Sequence, residues 1–118
     1  MNNESKNLWV EALRSGAFEQ VRRTLFSKTT GGFCCLGVYL KAVKGYTPIT
    51  EEEETLSGVT LSCFKELCEL GSDTKAVWWM SIMEEEGVTR SVIEKLMNMN
   101  DYDHKNFNEI ADWIENNL

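Results

Sequence analysis

The seven residues at 31–37, Gly-Gly-Phe-Cys-Cys-Leu-Gly, limit this chain's fold more than any others. Two adjacent glycines free the backbone for a tight turn, and the apolar residues that follow, Leu36, Val38, Tyr39, Leu40, Ala42 and Val43, predict a helix over 36–44 that Gly45 ends. The turn must therefore deliver the chain directly into a helix with a large apolar face. Gly37 sits in its first turn without a side chain, which fits another element packing closely there. The same feature suits a second use. Unpaired N–H groups at a helix start favour an anion, and Arg14, Arg22, Arg23, Lys28, Lys41 and Lys44 share this third of the chain. The segment is not a P-loop, because no Gly-Lys-Ser/Thr ends it.

Around this segment the pattern is mainly helical. Leu8, Trp9, Ala12 and Leu13 form a stripe over 4–14 with Ser15 and Gly16 as its stop. Residues 22–27 have the composition of a short strand, so a small hairpin across the glycine turn at 29–32 is expected. The stretch 46–60, with Pro48 and the glutamates 51–54, reads as a mobile acidic loop. Thr60 or Ser62 caps a helix through about residue 70, and Thr89 caps another over 90–98. The last helix spans 107–117, with Phe107, Ile110, Ala111, Trp113 and Ile114 facing the core. Residues 76–83, short and almost wholly apolar, fit a buried strand or a buried helix, and strand is the preferred reading. The expected fold class is α+β: one compact, mostly helical domain over 1–118, with about four helices and a small hairpin or short sheet.

No apolar run reaches the length needed to span a bilayer, and the polar start is unlike a secretory signal, so a cytoplasmic location is expected. There the four cysteines, Cys34, Cys35, Cys63 and Cys68, stay reduced. The formal charge of −7 disfavours direct DNA binding. It divides unevenly, because residues 1–45 carry seven Lys or Arg against three Glu while residues 46–118 carry five against sixteen acidic residues. Either the two sets occupy separate surfaces, drawing an anion to the first, or they interdigitate as salt bridges.

Three stretches belong to one pattern: Trp-Val-Glu-Ala-Leu-Arg-Ser-Gly at 9–16, Gly-Phe-Cys-Cys-Leu-Gly-Val at 32–38, and the closing run with Met99-Asn100-Asp101 and Phe-Asn-Glu-Ile-Ala-Asp-Trp-Ile-Glu at 107–115. In this order and spacing they resemble a family of small proteins of tailed bacteriophages and prophages. The match covers both ends, while the middle matches only around 61–70, where that family often carries a proline absent here. The resemblance implies a phage context and action in the host cytoplasm, and it supplies no established catalytic residues.

Adjacent cysteines lack the paired C-x2-C spacing of zinc sites, so no metal or other cofactor is expected, and packing beside Phe33 and Leu36 accounts for them. A cysteine-dependent hydrolase would need His104, the single histidine, as base. Arg22 or Arg23 beside a glycine turn can grip a phosphate in bidentate fashion. The candidate ligand-binding set is therefore Arg14, Arg22, Arg23, Lys28, Gly31, Gly32, Cys34, Cys35 and Gly37, with Trp79 to stack on a base. The expected function is a non-catalytic binding protein that sequesters an anionic, nucleotide-like small molecule. The alternatives are an acidic inhibitor or nucleic-acid mimic that docks on a host protein, and the hydrolase. An exposed Trp78 or Trp79 would favour a homodimer.

Overall fold

A computed structural model describes residues 1–48, 64–66 and 75–118, with backbone alone at 75–79. Helix α1 spans Asn3–Arg14, α2 Cys35–Ala42, α3 Lys75–Glu85, α4 Arg90–Asp101 and α5 Phe107–Asn117. These five helices among the described residues make the domain mostly helical, as expected. The Asn2 side chain accepts from the Ser5 N–H at 2.7 Å to open α1, whose residues Trp9, Val10 and Leu13 are buried. At its end the Ser15 N–H donates to the Ala12 carbonyl, and Gly16 turns away at φ +75°. Helix α5 begins with a reciprocal capping box between Asn106 and Glu109, over the bounds that its apolar stripe predicts.

Helix α2 is the centre of the core: residues 35–40 are all buried, and it packs against α1 on one side and α4 on another. Trp9 of α1 meets Tyr39 edge to face with 4.9 Å between centroids, and its indole N–H donates to the Cys35 carbonyl at 2.9 Å. A second aromatic group joins Phe18, Phe26, Phe33 and Phe64, with Phe33 4.8 Å from Phe26 and 5.2 Å from Phe18. Trp113, expected in the core, is half-buried at its rim.

Three expectations need correction. Residues 76–83 are helical within α3, not a strand, since a short apolar run carries too little periodicity to distinguish the two. Gly87 closes α3 at φ +90°, with its N–H on the Glu84 carbonyl and the Val88 N–H on that of Met83, the paired bonds of a Schellman turn. The expected hairpin does not form as paired strands among the described residues. Phe33 instead makes isolated bridges, parallel to Gln20 and antiparallel to Phe26, because the chain runs past it twice for one residue at a time. Helix α4 continues to Asp101, three residues beyond the expected end at 98, so Asn100 and Asp101 lie in its last turn.

Of the acidic loop expected at 46–60, residues 49–60 lie outside the described residues, as does most of the helix expected over 60–70. The described ends are joined: the Lys65 N–H donates to the Thr47 carbonyl, and Glu66 accepts from the Thr47 N–H at 2.7 Å. Among the described residues no helix is long and apolar enough to cross a membrane.

Candidate functional site

The glycine-cysteine segment is built into the core. A Cβ added to Gly37 would overlap the carbonyl oxygen of Leu25 and stand 2.8 Å from its carbon, so the backbone of the preceding loop lies directly on α2. Gly32 is buried too, where a Cβ would stand 2.9 Å from the Glu19 carbonyl oxygen. Gly31 supplies the turn itself, exposed and at φ +76°.

Three amides at the start of α2 already have partners. The Cys35 N–H donates to Asn100 Oδ1 at 3.2 Å, the Gly37 N–H to Cys34 Sγ at 3.4 Å, and the Val38 N–H to the Cys34 carbonyl. Cys34 thus acts as the N-cap, and both cysteines are buried. Burial, together with Cys34 and Asp101 nearby, pushes the Cys35 thiol well above its ordinary range, and its Sγ lies 3.6 Å from the Leu96 carbonyl. Such a thiol is a poor nucleophile. Among the described residues no group of His, Cys, Asp and Glu could hold a metal, and Cys63 and Cys68 lie outside them.

The residue that organises the segment is Asn100, fully buried at the end of α4. Its Oδ1 accepts from Gln20 Nε2 at 2.9 Å and from the Cys35 N–H; its Nδ2 donates to the Val21 carbonyl at 2.8 Å and to Asp101 Oδ1 at 2.9 Å. Both lone pairs and both protons of the carboxamide are used. Asp101 Oδ1 also accepts from the Arg23 N–H at 2.9 Å, so residues 20–23 are fastened to the end of α4 at three successive points. Sequence reasoning missed this role. The available signal is that Asn100 lies seven residues beyond Ile93 and four beyond Leu96, on the buried stripe of α4.

Fastened this way, the loop presents Arg22 and Arg23 to solvent. Arg23 has the left-handed backbone conformation, φ +65°, and its guanidinium lies 5.6 Å from the ring centroid of Tyr102, which is 61% exposed. Neither arginine makes an ion pair with another described residue. Lys28 is half-buried on the same loop.

Arg14 is held elsewhere. It pairs with Asp112 and, at 2.6 Å, with Glu115, which joins α1 to α5 and raises the affinity of its guanidinium for its proton, Glu115 contributing more than Asp112. Lys44 is likewise bonded to Glu86 at 2.5 Å. The basic first part of the chain and the acidic remainder therefore interdigitate at these pairs, while the guanidinium groups of Arg22 and Arg23 pair with no described carboxylate. A groove of about 480 Å³ beside Arg14 is lined by Asn7, Val10, Glu11, Ser15 and Glu115, and shares no residue with the glycine segment. His104 is exposed, at φ +55°, between α4 and α5. The side chain of Trp79 lies outside the described residues.

Of the candidate set, then, the structure leaves Arg22, Arg23 and Gly31 exposed, buries Gly32, Cys34, Cys35 and Gly37, and commits Arg14 to α5. These features define a small helical domain with one loop clipped to its core. The chain belongs to the family described as Domain of unknown function (DUF8296), whose model matches residues 1–118. Neither the curated proteins nor the solved structures contain a match.

Proposed function

We propose that this protein is a non-catalytic binder of an anionic, nucleotide-like small molecule, with Arg22 and Arg23 as its anion contacts. The observation that carries the reading is the pair of exposed arginines, without ion pairs among the described residues, on a loop whose backbone Asn100 and Asp101 hold in place. A preformed loop spends little ordering entropy when it binds. The buried thiols, with Cys35 held in its neutral form, favour binding without turnover. The motif resemblance supports a tailed-phage or prophage setting, in which removal of a signalling nucleotide from the host cytoplasm needs only capture.

Calorimetric titration of the full chain with pyrophosphate tests this reading. Each charge-assisted phosphate contact is worth about 1.5–3 kcal/mol, so Arg22→Ala with Arg23→Ala should weaken binding by at least roughly a hundredfold. Turnover should be absent for a panel of nucleotides. Equal affinity in the double variant, or no pyrophosphate binding at all, overturns the assignment.

A further inference from the structure

We infer that the surface formed by Arg22, Arg23 and Tyr102 recognises a planar heteroaromatic ring joined to a single phosphate, the chemistry of a nucleoside monophosphate. This rests on the reading above and adds the ring. Tyr102 is one of two large hydrophobic side chains left exposed among the described residues, and it is the more exposed, at 61% against 44% for Leu8. It caps the end of α4 while its ring carries the Arg23 guanidinium 5.6 Å from its centroid. Such a cation–aromatic layer offers flat faces to a further ring, and base stacking of this kind tolerates any nucleobase.

The backbone under this surface is strained on both sides. Arg23 and His104 are the non-glycine residues with positive φ among those described, and His104 follows Tyr102 by two positions. Histidine enters this region more readily than most residues, whereas an arginine held there is uncommon. The strain at Arg23 is maintained by one bond, from its N–H to Asp101, in a loop that Asn100 fixes on either side. Non-glycine strain of this sort concentrates where a side chain must be aimed. Gly at position 23 would relieve it, yet would lose the guanidinium.

Charge bounds the ligand. Asp101 accepts from the Arg23 N–H, Asp103 follows Tyr102 in the chain, and Lys105 is paired with Glu109 at 3.6 Å, so the two arginines are offset by as many acidic residues at the end of α4. A polyanion such as RNA gains little here, because its affinity depends on neutralising many phosphates at once. One phosphate on the two arginines, with a ring on the layer, matches the groups present.

The test is titration of the full chain with AMP, adenosine and inorganic phosphate, followed by nuclear magnetic resonance and calorimetry. AMP should bind at least about tenfold more tightly than either fragment. Tyr102→Leu should weaken AMP about tenfold or more and leave phosphate and pyrophosphate within about twofold. Arg23→Gly should keep or raise the melting temperature while it weakens AMP, which separates recognition from folding. If AMP binds no more tightly than phosphate, or Tyr102→Leu leaves it unchanged, the ring inference is overturned while anion binding stands. If neither pyrophosphate nor phosphate binds, anion binding falls with it.

Discussion

The chain from residue 20 to residue 40 shows two treatments of one sequence motif. On the core side, 32–40 is buried throughout, its glycines admit neighbouring backbone, and its helix-start amides are bonded to Asn100 and Cys34. On the solvent side, Arg22 and Arg23 are exposed and carry a positive φ and an aromatic contact. Both depend on the same carboxamide, because Asn100 bonds Cys35 inward and Val21 and Gln20 outward. Glycines and a helix start favour an anion only when their amides lack protein partners. Here an asparagine has taken that place, and capacity for a ligand has moved to the loop that the asparagine holds.

The comparison breaks most severely at Gly37. A methyl group there must push the Leu25 backbone off α2, and overpacking of this kind costs up to about 3 kcal/mol, so Gly37→Ala should lower the melting temperature by roughly 12 °C. At Gly31 the space is open and only the positive φ resists a side chain, so Gly31→Ala should cost about 1 kcal/mol. Chemical denaturation of the two variants measures the difference directly. Equal losses would mean that the turn and not the close approach sets the fold.

Asn100→Ala comes next. It leaves the buried Cys35 N–H and the Val21 carbonyl without their partner, at about 2 kcal/mol, and it frees residues 20–23 at the same time. Amide hydrogen exchange should accelerate at Cys35 and at Arg23 together. Acceleration at one and not the other would show that the inward and outward roles are separable.

The buried thiol gives the comparison a pH signature. The Cys35 proton is held more firmly in the folded chain than in the unfolded one, so the unfolded state loses its proton first as pH rises past about 9. Stability should fall in that window by at most about 1.4 kcal/mol per pH unit from this group, and be fully present below it. Cys35→Ala should flatten the slope between roughly pH 9 and 10. Tyr39, whose buried hydroxyl has no hydrogen-bond partner among the described residues and is pushed in the same direction by burial, adds its own loss at higher pH. Denaturation midpoints against pH, compared for the two proteins, check this.

Much of the helical frame was legible because stripes such as Leu8, Trp9, Ala12 and Leu13 repeat the helical period over several turns, with Thr89 as the cap of α4. Residues 76–83 were misread because eight nearly uniform apolar residues carry no period. The hairpin failed because composition shows that residues 22–27 can extend, but not that Phe33 meets each neighbour for a single residue. The candidate site was half legible. Arginines beside a glycine turn are visible in the sequence, but the filling of the helix start by a side chain 65 positions away is a tertiary contact with no local trace.

The smallest expected effect is the most informative about function. Arg22 is exposed and bonded to no described partner, so Arg22→Ala should change stability by less than about 0.5 kcal/mol, as surface substitutions away from caps and buried groups do. Arginines used by the fold behave differently. Arg14, which joins α1 to Asp112 and Glu115 of α5, should respond to salt and to Arg14→Ala, whereas Arg22→Ala should leave the salt dependence of unfolding unchanged. A loss above about 1 kcal/mol at Arg22 would assign this arginine to the scaffold and leave the loop with a single free guanidinium, too few for a bidentate grip and a stack on Tyr102 together.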